Sequence, residues 1–209
     1  MNDLQSIKEA TDQSAQTVSQ ALKAFPWDDQ GKYAQWLAQT YYYVRHSTRL
    51  LAAAAARFPL DSTGDRLHVR FGKHIGEERS HEKLAQHDLS VLGVPLATLP
   101  ELHSTRMFYE TQYYKIEHVG PTALYGYILM LEATGPACGD DLIQQVEHAH
   151  GSKCTSFLRL HTSEDVDHVQ KAIELVAQLP PQEQSPVIQN LGQSTQAYVG
   201  ILQEIWRTP

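Results

Sequence analysis

The chain has 209 residues, 42% of them apolar and 20% charged, with 17 basic against 24 acidic side chains and a formal net charge of −7. This is enough apolar material for one globular domain over residues 1–209, and the acidic balance offers no basic stripe for a nucleic acid or an anionic membrane, so the expected partner is a small molecule. The longest apolar runs, Leu50 to Ala56 and Leu124 to Leu131, fall short of the roughly 20 residues that cross a bilayer, no secretory signal is evident and two cysteines cannot make a disulfide framework, which together imply a cytoplasmic chain.

Helical spacing of apolar residues dominates, and runs alternating apolar with polar residues are lacking. A first helix is predicted over Asp3 to Ala24, ending before Pro26 because the residue ahead of a proline avoids the helical region. A second starts near Asp28 or Asp29 and runs through Tyr41, Tyr42 and Tyr43 to Ala56. Asp61 and Ser62 can cap a third that continues to about Leu92, before Gly93 and Pro95. A fourth spans Pro100 to Glu117, and a fifth opens at Pro121 and closes near Gly135 and Pro136. A short helix over Asp140 to Ala149, a long one from Gly151 to Leu179 and a last one ending near Trp206 complete the chain. Seven or eight helices with short connections make a compact all-α bundle.

Polar residues interrupt the apolar stripes of three of these helices. Leu67, Phe71, His74, Glu78, His81 and Ala85 follow one another at steps of three or four and share one face of the third helix. Leu158, His161, Asp165, His168, Ala172 and Leu175 do the same in the long helix. Glu132 belongs to the fifth helix, which is apolar on nearly every side, behind Tyr125, Ile128 and Leu129. An ionised carboxylate buried in such surroundings is normally paired, protonated or bound to a metal. Glu78, His81, Glu132, His161, Asp165 and His168 could enclose two divalent first-row ions, their oxygen and imidazole donors suiting iron or manganese, with zinc also compatible. Three carboxylates against two divalent ions leave a local charge of about +1 for a substrate or an oxygen species to balance. The competing explanations are a solvated Glu78–His81 contact and a structural His–Asp network.

The segments His74 to Glu82, Gly126 to Glu132 and Phe157 to His168 resemble the iron-containing redox enzymes of the haem-oxygenase-like diiron oxidase superfamily, over about Trp36 to Lys171. That resemblance implies a haem-oxygenase-like bundle in which two irons, held by Glu, His, Glu, His, Asp and His in that order, activate dioxygen to oxidise a small organic substrate. Carried onto this chain, the metal ligands are Glu78, His81, Glu132, His161, Asp165 and His168. Some relatives place the first carboxylate seven residues before the histidine, where this chain has His74, and Glu77 and Glu82 compete for the same role. The haem-degrading branch relies on a histidine near the N-terminus, and the earliest here is His46. A thiaminase-like enzyme would need Cys138 or Cys154 as nucleophile, and a non-catalytic binding protein is the remaining alternative. The tyrosines, including Tyr41 to Tyr43, Tyr113, Tyr114, Tyr125 and Tyr127, are read chiefly as packing groups, and His87, His148 and His150 as surface residues. A homodimer is the default assembly for a soluble chain of this kind.

Overall fold

The 3.6-residue apolar spacing is realised along the whole chain. The structure, a computed structural model, describes residues 3–208, apart from the side chains of residues 3, 137, 138 and 163–168. Among the described residues there are nine α-helices and no strands: α1 (Asp3–Ala24), α2 (Gln30–Val44), α3 (Ser47–Ala55), α4 (Ser62–Glu77), α5 (Glu82–Val91), α6 (His103–His118), α7 (Leu124–His150), α8 (Ser156–Ala177) and α9 (Pro181–Arg207). Short 3-10 turns stand before α6, α7 and α8.

Three boundaries differ from those predicted. The second predicted helix divides at Arg45 and His46 into α2 and α3. The third divides between Glu78 and His81, where Ser80 takes a left-handed φ of 75° and ends the hydrogen-bond ladder of α4. Conversely, the fifth predicted helix and the short helix after it run on as α7, kinked at Gly139 (φ 63°, ψ −177°) just beyond Pro136. Pro136 lacks an amide hydrogen and Gly139 adopts a conformation open mainly to glycine, so the ladder bends there without a separate loop.

The α7 helix packs against α8, α9 and α1, while α5 packs on α2 and α8. Buried side chains from every helix form one connected core, with Trp27, Tyr33, Phe71, Phe108, Leu129 and Met130 among the largest fully enclosed. No described helix is long and apolar enough to cross a membrane.

Close approach of α7 to α9 depends on Gly126, because a β-carbon there would lie 2.3 Å from the Val187 carbonyl oxygen and 2.5 Å from the Leu191 amide nitrogen. Asn190 fastens the same junction. Its amide donates to Gln112 Oε1 and to the Ala123 carbonyl, each at 2.8 Å, tying α6 and the start of α7 to α9. This junction fixes the height at which Glu132, less than two turns further along α7, enters the interior.

Gly126→Ala is expected to destabilise the fold by about 2 kcal/mol, because the added methyl meets backbone that cannot rotate away, and to lower Tm by about 5 °C. Thermal unfolding followed by circular dichroism checks this, and an unchanged Tm would mean that α7 and α9 are not held at this distance.

Candidate metal centre

The break after α4 determines how the first donors are presented. His74 occupies the last turn of α4, Glu78 caps that helix and His81 precedes the first residue of α5. The stripe predicted over Leu67, Phe71, His74, Glu78, His81 and Ala85 therefore stays on one side of the chain although the helix is interrupted: Leu67, Phe71, His74 and Ala85 are buried, and Glu78 and His81 nearly so. A left-handed residue other than glycine costs about 1–2 kcal/mol, so Ser80 marks a local expense at this corner. The C-terminal end of α4 also carries the negative pole of its peptide dipoles, which favours a cation beside His74 and Glu78.

Opposite stands Glu132 of α7, 6% exposed. His74 Nε2 lies 3.2 Å from Glu132 Oε1 and 3.6 Å from Glu78 Oε1. His81 Nδ1 is 3.9 Å from Glu78 Oε2. The His81 and His161 rings meet nearly edge to face at 5.1 Å, and Phe157 lies 4.4 Å from His161. Four of the predicted ligands, Glu78, His81, Glu132 and His161, are thus brought to one region of the interior. The side chains of Asp165 and His168, the other two, lie outside the described residues. Among the described residues, no three histidine, cysteine, aspartate or glutamate side chains surround a common point. They form instead a series of close pairs that begins at Glu132 and passes through His74, Glu78 and His81 to His161.

Charge and protonation follow from these contacts. Burial would lower the affinity of His74 for a proton, but the neighbouring carboxylates of Glu132 and Glu78 outweigh it and hold the imidazole at about 9. Burial raises and the neighbouring His74, His161 and His81 lower the Glu78 carboxyl, which ends below its ordinary value. Both Glu132 oxygens are buried without a hydrogen-bond donor among the described residues, since the approach of His74 at 3.2 Å lacks the alignment of a hydrogen bond.

Two cavities meet at these carboxylates. The larger, about 90 Å3, is bounded by Glu78, Glu132 and His161 at one end and by an apolar wall that includes Leu22, Trp36, Tyr43, Leu142 and Phe157. The smaller, about 40 Å3, is bounded by His74, Glu78, Glu132, Ser47, Tyr127 and aliphatic residues. Among the described residues, no lysine or arginine lines either of them. Burial pushes the Tyr43 phenol up to about 12 and that of Tyr127 well above its usual value, so both remain neutral hydroxyls. Among the described residues, the anions facing the cavities are the carboxylates of Glu78 and Glu132, and the cations available from the walls are imidazoles. Imidazole and carboxylate donors with unsatisfied buried oxygens fit iron or manganese.

Several further residues shape this region. Asp88 of α5 is fully buried, and its Oδ2 accepts the Phe157 amide at 2.9 Å in the first turn of α8. One carboxylate thereby ties the helix that follows His81 to the helix that carries His161. Its pKa is raised by burial, with the Phe157 and Ser156 hydrogen bonds acting against that rise. Asp88 was legible in the sequence, since the spacing that joins His81 to Ala85 lands on it three residues later. Glu77, by contrast, is outward and bonded to Arg70 at 3.0 Å. His150 is not a plain surface residue: its Nε2 contacts the Trp27 carbonyl at 2.7 Å and its ring stacks on Tyr33. The Cys154 thiol is buried against the Gly151 carbonyl at 3.1 Å, its pKa raised by burial, and it lines neither cavity. Cys138 has its side chain outside the described residues.

Residues 34–199 match the model of a family described as iron-containing redox enzyme. Comparison with curated proteins finds no match. Among solved structures, a domain of unknown function with a heme oxygenase-like fold from Shewanella denitrificans superposes with a TM-score of 0.79 at 19% identity, covering 97% of this chain and 90% of that one. A TenA homologue from Pseudomonas syringae gives 0.77 at 12% identity, covering 98% and 92%, and one from Pyrococcus furiosus gives 0.75 at 11%, covering 95% and 99%. At these identities the likeness establishes the heme oxygenase-like fold.

Asp88→Ala is expected to cost about 2 kcal/mol and to speed hydrogen exchange at the Phe157 amide, whereas Asp88→Asn keeps an acceptor and costs less. Exchange rates over residues 156–159 measure this; equal protection in both variants would remove Asp88 as the cap of α8.

Proposed function

The chain belongs to the iron-containing redox enzyme family, and from this premise we propose that its interior holds two iron ions, with manganese the other candidate, and that it oxidises a small organic molecule with dioxygen. The observation that carries the reading is Glu132, a carboxylate buried in an apolar bundle whose two oxygens meet no hydrogen-bond donor among the described residues. Hydrophobic surroundings make such a group costly unless a cation answers it. Glu78, His81, Glu132 and His161 lie in one region of the interior and would serve as donors, and Asp165 and His168, from the same helix as His161, would complete the set.

Iron held there would supply the electrons that reduce dioxygen. The protein's own contribution is to bind, orient and exclude water. Glu78 and Glu132 stand at the meeting of the two cavities and would be among the residues that hold the iron. Asp88 fixes the first turn of α8, and with it the direction from which His161 approaches. Trp36, Tyr43, Leu142 and Phe157 give the larger cavity an apolar wall where water is poorly held and an organic group can lie against His161. Tyr198 completes that wall, its hydroxyl fixed by the Trp36 indole N–H at 3.1 Å. A thiaminase-like reaction would instead require a reactive thiol; Cys154 is enclosed away from both cavities, and the Cys138 side chain lies outside the described residues.

Anaerobic loading with ferrous iron followed by elemental analysis tests the proposal. Glu132→Ala and His161→Ala are each expected to lower bound iron by at least half while the helical content stays unchanged, and Asp165→Asn to lose one ion before the other. Full iron in both alanine variants would end the assignment. Iron-loaded, reduced protein is expected to consume dioxygen; failure to do so with every candidate substrate would favour a binding protein.

A further inference from the structure

Trp36 borders the larger cavity and is also the inner end of a line of rings that leads away from it. Behind it Tyr33 lies at 6.0 Å with an interplanar angle of 15°, and His150 stacks on Tyr33 at 5.3 Å and 9°. Trp27 stands beside both, 5.3 Å from Trp36 and 6.0 Å from Tyr33. On the cavity side Phe157 joins Trp36, at 6.0 Å, to His161, at 4.4 Å. Trp27, Tyr33 and Trp36 are buried and His150 is half-buried, so rings in contact connect the cavity end at His161 to the protein surface.

The hydrogen bonds of these rings add an independent observation. Indole and phenol both yield a single electron to a strong oxidant, but a phenol must release its proton as it does so. The Tyr33 hydroxyl donates to the Cys154 carbonyl at 2.6 Å, and a carbonyl does not carry a proton away. An indole can instead keep its proton and remain as a radical cation, and each indole N–H here is held by a neutral acceptor. Trp27 Nε1 donates to the Leu22 carbonyl at 2.6 Å and Trp36 Nε1 to the Tyr198 hydroxyl at 3.1 Å. The two tryptophans are therefore the stations at which an electron can be lost and regained, and Tyr33 and His150 bridge Trp27 and Trp36 to solvent. Two of the three tryptophans in the chain lie on this line.

We propose that Trp36 and Trp27 form a one-electron relay between the cavity and the surface beside His150, which returns electrons to an oxidised centre when no substrate is present to be oxidised. The inference rests on the reading of the interior as an iron centre, whose one-electron chemistry with dioxygen supplies the oxidant. In each event Trp36 gives one electron to the centre and becomes a radical cation, Trp27 reduces Trp36, and a reductant of the thiol or ascorbate class in solution reduces Trp27. No bond to either indole is made or broken. The centre is reduced by one electron and takes up one proton, and the reductant loses one of each. Without the relay, the oxidant would be spent on the cavity wall itself.

The test adds hydrogen peroxide, without air, to substrate-free protein loaded with ferrous iron, freezes the mixture and records its electron paramagnetic resonance spectrum, with elemental analysis for bound iron and circular dichroism for the fold. The native chain is expected to give a tryptophan radical, recognised by its narrowing when the indole rings are deuterated, which ascorbate discharges. Trp36→Phe, which keeps an aromatic ring, is expected to lose that signal, and Trp27→Phe to hold it several-fold longer against ascorbate. Trp206→Phe, at an exposed position of α9, is expected to leave it as in the native chain. Peptide mass spectrometry is expected to find several-fold more added oxygen on Tyr43 and Phe157 in Trp36→Phe and Trp27→Phe than in the native chain when ascorbate is present. A native signal in Trp36→Phe, or equal oxygen on those residues in every chain, would overturn the relay and leave the rings as packing groups. If Trp36→Phe does not fold, a native signal that deuterated tryptophan fails to narrow overturns it equally. A native chain that binds no iron would refute the iron centre itself, a result distinct from an iron-bearing chain that forms no tryptophan radical.

Discussion

The carboxylates of Glu78 and Glu132 face two cavities inside an apolar helical bundle, and among the described residues no lysine or arginine lines those cavities. That constraint organises the region. Coulombic attraction is strong where water is scarce, so the neighbouring imidazoles lower the Glu78 carboxyl against the effect of burial, and Glu132, whose oxygens meet no aligned hydrogen-bond donor among the described residues, is answered by the His74 imidazole at 3.2 Å. A purely structural His–Glu network would be expected to satisfy its acceptors with aligned donors. The series from Glu132 through His74 and Glu78 to His81 instead leaves Glu132 unsatisfied among the described residues, with a cavity on either side of it.

The fold concentrates its irregularities around these donors. The interruption between α4 and α5 occurs between Glu78 and His81, and the left-handed Ser80 there is the one positive-φ residue other than glycine among the described residues. Without the interruption, His81 would continue the axis of α4; with it, α5 turns to pack on α8 and is fastened there by Asp88. The kink of α7 at Gly139 follows Glu132 by about two turns, close to Thr134, Gly135 and Leu142 on the wall of the larger cavity. Regular packing resumes away from these points, as at the Gly126 crossing.

This pattern explains which features were legible in the sequence. Helical class and the buried stripes follow from spacing alone, and a polar residue inside a stripe is conspicuous because its neighbours at three and four residues are apolar, as for Glu132 behind Ile128 and Leu129. The break at Ser80 carries no glycine or proline, so the chain from Asp61 to Leu92 reads as one helix. The helix end predicted near Gly135 and Pro136 corresponds to a real interruption, the non-helical Gly139, but the two halves of α7 meet there without a separate loop. The alliance of His74 with Glu132 depends on how α4 and α7 face one another, a relation fixed by tertiary packing and absent from the periodicity of either helix.

The two cavities also divide the work of the region by size and lining. The smaller, about 40 Å3, admits an ion or a few waters, so an organic molecule can meet the carboxylates only through the larger one, about 90 Å3. On that side it encounters Glu78, Glu132 and His161 at one end and aromatic and aliphatic surface elsewhere. Tyr43 offers a neutral hydroxyl there rather than a phenolate, because burial keeps its proton in place. Under the proposed oxidase reading, a second charged group on a substrate would find no lysine or arginine among the described lining residues to answer it, which would favour a compact, mainly apolar body with one polar end.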